Sequence, residues 1–110
     1  MDLLITRDED IQRASRSLKA MSHPLRLKIL CTLGDREVSV QEIVDHVGTS
    51  QSNISQHLAI LRDQGILNCR RDATRVYYRV EDERTLRLIG LMRDIFCGLS
   101  ADPAKSIQAN

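Results

Sequence analysis

The succession of patterns between residues 39 and 80 limits the possible folds of this chain more than any other feature of its sequence. Residues 39 to 47 begin with a capping box, Ser39-Val40-Gln41-Glu42, and carry one apolar helical stripe. A second helical pattern runs from Gln51 to Gln64, after a short turn that contains Gly48. Two alternating segments, residues 67 to 71 and 75 to 80, then predict strands around Asp72-Ala73-Thr74. We therefore expect a helical hairpin followed directly by a β-hairpin.

Three more helical patterns flank this unit. Residues 8 to 20 carry a narrow apolar stripe, and another helix begins at Pro24, with Ser22 or His23 as its N-cap. Residues 86 to 99 form a last helix that is apolar on nearly all sides, so we expect it to contact both its own core and another subunit. The predicted fold class is mainly α with a small β-hairpin: a winged helix-turn-helix of four helices, two strands and a fifth helix.

The length and composition of the chain exclude several classes of protein. Its 110 residues fit one domain, which we expect to span residues 1 to 99, followed by a flexible polar tail from 100 to 110. No apolar run reaches the roughly 18 to 20 residues of a membrane span, and the first residues do not resemble a signal peptide, so we expect a cytoplasmic protein that binds no membrane. No motif combines a nucleophile, a base and an orienting acid, and no glycine-rich phosphate loop occurs. We therefore expect neither enzymatic activity nor a cofactor.

Positive charge is concentrated between residues 51 and 80, in the second helix of the helical hairpin and in the β-hairpin. The whole chain has a net charge of +1, whereas residues 51 to 80 hold five arginines and two aspartates. Gln, Asn and Ser side chains can hydrogen-bond base edges, and arginines can bind phosphates. The predicted contacts to double-stranded DNA are Ser50, Gln51, Ser52, Asn53, Ser55, Gln56, His57, Arg62, Arg70, Arg71 and Arg75. The alternatives are an ordinary helical hairpin with a solvated arginine face, or a winged helix that binds another protein.

Three motifs carry a resemblance to a known family. They are HPLRLKIL at residues 23 to 30, SQSNISQHL at residues 50 to 58 and RVYY at residues 75 to 78. Together they resemble the ArsR/SmtB family of bacterial winged-helix repressors, over about residues 10 to 99. The resemblance implies a homodimer built from the first and last helices. It also implies an inducer site whose occupancy weakens binding to operator DNA.

Many members of that family sense metals, with cysteines in the third helix or with Asp and His residues along the last helix. Residues 40 to 47 contain no cysteine and only His46, and residues 83 to 99 contain no histidine. His23, His46 and His57 lie on separate elements without the close spacing of a metal site. We therefore predict no metal site, and a metal-responsive repressor is the alternative.

The cysteines are the remaining candidates for an inducer site. Three cysteines at wide spacing do not form a secreted disulfide framework. The positions of Cys31 and Cys97 resemble the cysteine pair of the dithiol branch typified by SqrR, BigR and HlyU. The resemblance implies that reactive sulfur species or oxidants link the two sulfurs within one subunit, through a disulfide or a longer polysulfide, and that DNA is then released.

The alternative for both cysteines is a role as core fillers, since free cysteine is often buried. Cys31 lies beside Leu30, which fits that alternative. Cys97 follows Gly90, Arg93 and Asp94 on the least apolar line of its helix, and this position does not fit a core filler. Cys69 alternates with Leu67 on a strand, and we expect it to be structural.

Overall fold

The computed structural model describes residues 7 to 98, and for residues 97 and 98 it describes the backbone alone. The helices are α1 (Asp8–Met21), α2 (Pro24–Leu33), α3 (Val40–Val47), α4 (Gln51–Asp63) and α5 (Glu83–Arg93), and a π-helical turn (Asp94–Gly98) follows α5. The strands are β1 (Val38–Ser39), β2 (Leu67–Asp72) and β3 (Arg75–Val80). This order confirms the predicted winged helix-turn-helix. The predicted tail from 100 to 110 lies outside the described residues.

Strands β2 and β3 form the wing, and β1 joins them in a three-stranded antiparallel sheet in the order β1-β3-β2. Strand β1 pairs Val38 with Tyr78 and Ser39 with Tyr77 of β3. We did not predict β1, because two residues are too short for an alternating pattern and their pairing is with a distant segment. The predicted three-residue turn is also wrong, since Asp72 pairs with Arg75 and only Ala73 and Thr74 connect the strands.

The last helix differs from the prediction at both ends. It begins at Glu83 rather than Leu86, because the Asp82 carboxylate accepts a hydrogen bond of 2.8 Å from the Arg84 amide and caps it. The Arg84 side chain lowers the pKa of Asp82 to about 2, so this cap stays ionised. The α-helix ends at Arg93 and becomes π-helical, so a continuous α-helix to Leu99 is wrong, and Leu99 itself lies outside the described residues.

Local capping fixes the helices that position the DNA-binding candidates. The Ser39 hydroxyl accepts from the Glu42 amide at 3.2 Å, and the Glu42 carboxylate accepts from the Ser39 amide at 3.2 Å, which confirms the capping box. Helix α3 ends at Gly48, whose left-handed φ of 84° turns the chain toward α4. Among the described residues, the largest fully buried side chains form the centre of the core: Ile29, Leu30, Leu33, Ile43, Ile54, Leu58 and Leu61. No described helix is long and apolar enough to cross a membrane.

Candidate nucleic-acid interface and thiol cleft

Helix α4 presents a polar face outward while its apolar face is held in the core. Its buried side chains are Ile54, Leu58 and Leu61, and its exposed ones include Gln51, Ser52, Ser55 and Gln56. The Ser50 hydroxyl accepts from the Asn53 amide at 3.1 Å, and the Asn53 side-chain amide donates to the Thr49 hydroxyl at 3.3 Å. Ser50 and Asn53 thus hold the start of the helix, and Ser55 and Gln56 in its next turn are exposed.

A groove of about 560 Å³ separates α4 from the wing. Gln51, Ser55 and Arg62 line it from α4, and Arg71 and Arg75 line it from the wing. The structure therefore brings together five of the residues that we predicted to contact DNA. This concave surface has hydrogen-bonding side chains on the helix and arginines on both walls. It suits a polyanion whose hydrogen-bonding groups face the helix and whose charges face the arginines.

The groove also contains Cys69, for which the sequence predicts a structural role. Cys69 is exposed rather than packed in the core. A hydrogen bond with the Cys69 side chain is the main cause of the raised pKa of Arg62, with a smaller effect of Tyr78. The alternation of side chains along β2 could have placed Cys69 in the groove, because Cys69 and Arg71 lie two residues apart and therefore share a face of the sheet.

Glu42 adds one negative charge to the groove wall. Hydrogen bonds from the Ser39 backbone and side chain lower the pKa of Glu42, with smaller contributions from Arg36 and Arg75. The carboxylate is therefore committed to the capping box of α3. The arginines outnumber it on the groove walls, so the groove is basic on balance.

Six of the eleven predicted DNA contacts do not line the groove, and the side chains of two of these, Arg70 and His57, contact other parts of the chain. The Arg70 guanidinium donates to the Glu37 carboxylate at 2.8 and 3.1 Å, on the sheet face opposite to Arg71. His57 is half-buried on the flank of α4 against α2, where Arg26 Nη1 lies 3.1 Å from His57 Nδ1. The structure does not bring these two side chains together with the other candidates.

Cys31 lies at a second concave feature, between α2 and α5. Its thiol is exposed, so it does not fill the core. The cleft has a volume of about 320 Å³, and Gly90 and Arg93 of α5 line it opposite Cys31. Cys97 belongs to the turn that continues α5, and its side chain lies outside the described ones. Within the described part of the chain, no three His, Cys, Asp or Glu side chains are grouped as metal ligands would be.

Apolar side chains remain exposed on the two helices that we expected to form a dimer. Ile11 and Leu18 are 45% and 52% exposed on α1. On α5 and its continuation, Leu91, Ile95 and Phe96 are 59%, 65% and 78% exposed. A monomeric protein rarely leaves such large side chains in water on neighbouring positions, so these two helices have the character of an interface.

The fold and this surface define a winged helix-turn-helix regulator. Residues 23 to 68 match the family of bacterial regulatory proteins named arsR. The chain is 36% identical over 96 residues to the biofilm growth-associated repressor of Xylella fastidiosa, covering 84% of each chain. The chain belongs to the ArsR family of transcriptional regulators, as its motifs indicated.

Solved structures agree with this membership. HlyU from Vibrio cholerae superposes with a TM-score of 0.79 and 38% identity, covering 83% of this chain and 99% of that one. A homodimeric winged helix-turn-helix DNA-binding domain from Mycobacterium bovis gives a TM-score of 0.76 at 28% identity, covering 91% and 96% of the two chains. The resemblance to HlyU within the family is thereby confirmed.

Proposed function

We propose that this protein is a repressor that binds operator DNA as a homodimer and releases it when Cys31 and Cys97 become linked. Reactive sulfur species, such as persulfides and polysulfides, or oxidants are the proposed inducers. The observation that carries the sensing part is the exposed Cys31 thiol in a cleft walled by α5, the helix that leads into the turn of Cys97. Operator binding takes place in the cytoplasm, which is the compartment we propose.

DNA recognition is divided between α4 and the wing. Gln51, Ser52, Ser55 and Gln56 project from the exposed face of α4 and are proposed to contact base edges in the major groove. Arg62, Arg71 and Arg75 on the groove walls are proposed to bind phosphates on either side. Ser50 and Asn53 contribute by fixing the N-terminus of the helix that enters the groove.

The homodimer is proposed to form through α1 and α5. Their exposed apolar side chains are buried when two copies meet about a two-fold axis, and each Å² of apolar surface removed from water contributes roughly 25 cal/mol. The symmetry places two copies of α4 at half-sites about 34 Å apart on one side of the duplex. Operator binding then depends on how α5 sets the distance between the two α4 helices.

The proposed sensing chemistry oxidises the two thiols and reduces the inducer. The Cys31 thiolate attacks the sulfane sulfur of a persulfide RSSH, which gives a Cys31 persulfide and releases the thiol RSH. The Cys97 thiolate then attacks the sulfur of Cys31 and releases hydrogen sulfide, so that a disulfide remains. If a second persulfide first adds one sulfur atom, releasing another RSH, the product is a trisulfide. With peroxide the product is a disulfide and two molecules of water.

The link acts as a switch through the difference in its strain between the DNA-bound and the released arrangement of the dimer. Coupling between an inducer and DNA typically requires about 1 to 3 kcal/mol. Joining α2 to the end of α5 changes the orientation of the dimer helix relative to the DNA-binding helices of the same subunit. The spacing of the two α4 helices is thereby proposed to leave the value that the half-sites require.

Two experiments test the two parts of this function. Selection from a pool of randomised duplexes by the purified chain should enrich an inverted repeat, and no enrichment would contradict operator binding.

Intact mass after treatment with a persulfide donor should show a linked product in the wild type and in Cys69→Ser, but not in Cys31→Ser or Cys97→Ser. A disulfide lies two hydrogen atoms below the reduced chain, and each bridging sulfur atom adds its own mass. Unlinked adducts on all three cysteines would contradict the thiol switch.

A further inference from the structure

Arg70 and Glu37 form a bidentate ion pair on the outer face of the wing. Arg70 Nη2 and Nε lie 2.8 and 3.1 Å from the two carboxylate oxygens of Glu37. The pair is only partly exposed, and the hydrogen bond from Arg70 lowers the pKa of Glu37 while raising that of Arg70. A planar guanidinium that meets both oxygens of a carboxylate is the strongest geometry for such a pair.

The ion pair links β2 to the residue before β1, across the intervening strand β3. Glu37 immediately precedes β1, which pairs with β3 through only two residues. Arg70 lies in the middle of β2, with its guanidinium carbon 4.8 Å from the centre of the Tyr77 ring on β3. Glu37, Arg70 and Tyr77 therefore form a clamp that fastens the hairpin to the segment joining α2 to β1.

The part of the wing beyond this clamp has little else to hold it. Leu67, Tyr78 and Val80 are buried at the base of the hairpin, whereas residues 71 to 75 are all exposed. A two-stranded tip without a packed face can pivot, because its backbone hydrogen bonds join only its own two strands. Arg71 and Arg75 lie on that tip. The orientation in which the clamp holds the hairpin therefore determines where these two arginines lie.

We infer that Arg70 is a positioning residue that holds the wing against Glu37 so that Arg71 and Arg75 reach the DNA backbone. The inference rests on the proposed DNA binding for its consequence, but not for the clamp itself. It replaces the role of phosphate ligand that the sequence favoured for Arg70. Two donor groups of Arg70 are already bound to Glu37, and its side chain projects from the sheet face opposite to Arg71.

Whether Glu37→Gln weakens or strengthens operator binding distinguishes a positioning role of Arg70 from a role as phosphate ligand. Removing a negative charge near DNA strengthens binding if only electrostatic attraction matters. The clamp requires the opposite: Glu37→Gln and Arg70→Gln should each weaken operator binding about two- to fivefold per subunit, the range that a partly exposed ion pair allows. The double variant Glu37→Arg with Arg70→Glu reverses the pair and should recover part of the affinity, since the reversed charges also meet Asp72, 3.9 Å from Arg70, and Arg79, whose charge acts on Glu37.

The experiment measures operator affinity against salt concentration and amide hydrogen exchange of the free protein. In Arg70→Gln the slope of log affinity against log salt should stay unchanged, because Arg71 and Arg75 still reach the phosphates once DNA has ordered the wing, at a cost in affinity. Loss of a phosphate contact by Arg70 itself would lower the slope by about 0.9 per subunit. Exchange across residues 67 to 80 should accelerate in both single variants and return toward the wild type in the double variant. Glu81→Gln, which removes an exposed acid at the base of the wing, is the matched control and should accelerate nothing.

The two readouts distinguish failure of the clamp from failure of the proposed function. If the wild type binds no DNA but the exchange pattern is as expected, the clamp stands and DNA binding does not. Tighter binding by Glu37→Gln, a reduced salt slope for Arg70→Gln, or wild-type exchange in both single variants would overturn the clamp.

Discussion

The imidazole rings of His23 and His57 lie 4.6 Å apart between their centroids, at the contact of α2 with α4. His23 caps α2, since its Nδ1 atom accepts a hydrogen bond of 3.1 Å from the Leu25 amide. Arg26 lies on the other side of His57. Burial is the main cause of the lowered pKa of His57, followed by repulsion from His23 and Arg26. This contact therefore favours a neutral His57 in the folded protein.

Stability should consequently fall when the pH drops below about 6.5, the ordinary pKa of histidine in an unfolded chain. Below that value the unfolded state takes up a proton on His57 that the folded state does not accept, until the pH passes the lower folded pKa. Asp82, with a pKa of about 2, does not titrate in this interval. Urea unfolding of the wild type at about pH 8 and about pH 5.5 measures the effect, and His57→Gln should lose part of it.

The control for this prediction is His46→Gln, because His46 is exposed at the end of α3. Other acids and histidines add their own pH dependence, so the comparison is between variants rather than with zero. An identical pH dependence in the wild type and in His57→Gln would mean that the contact with α2 does not perturb His57.

Gln56→Ala tests base readout by α4. The side chain is exposed on the helix face opposite to the core, so its removal should leave folding intact. Loss of a base contact should cost about 1 to 3 kcal/mol on the selected operator and leave binding to random duplexes largely unchanged. Fluorescence anisotropy on both DNAs measures the difference. An equal loss on both would assign Gln56 to the DNA backbone instead.

Arg75→Ala tests phosphate binding by the wing. Arg75 lies at the wall of the basic groove, and each phosphate contact contributes about 0.9 to the slope of log affinity against log salt. The slope should decrease by that amount for each subunit. Arg16→Ala removes an exposed charge on α1 and should leave the slope unchanged. If both variants gave the wild-type slope, the wing would not touch the phosphates.

Ile95→Glu tests the dimer without disturbing the core. Ile95 is 65% exposed in a single subunit, so a charge there should leave the subunit folded while preventing burial of the α5 surface. Sedimentation at micromolar concentration should show a folded monomer for the variant and a dimer for the wild type. Ile60→Glu changes an exposed apolar residue on α4 and should remain dimeric. A wild-type monomer would contradict the proposed interface.

Features set by neighbouring residues could be predicted from the sequence. The capping box at Ser39, the proline start of α2 and the glycine end of α3 all depend on interactions within a few residues. Strand β1 could not be predicted, since it exists only through its pairing with Tyr77 and Tyr78. Long-range contacts account for most of the differences between expectation and structure.

The placement of Arg70 shows what the strand period can and cannot predict. Alternation along β2 separates Arg70 from Arg71, so a stricter use of the strand period could have removed Arg70 from the DNA-binding set. Its partner could not be found in this way, because Glu37 lies 33 residues earlier in the chain. His57 is a similar case: the helical period moves it off the exposed face of α4, but only the fold places it against His23.

The central claim is that linking Cys31 to Cys97 releases DNA, and operator binding by cysteine variants tests it most directly. Anisotropy of a labelled operator is recorded for the reduced protein, after a persulfide donor, and again after reduction. The wild type and Cys69→Ser should lose the operator and regain it on reduction, whereas Cys31→Ser and Cys97→Ser should bind throughout. Release from Cys31→Ser by the donor, or release of the wild type by zinc or arsenite but not by the donor, would contradict the account.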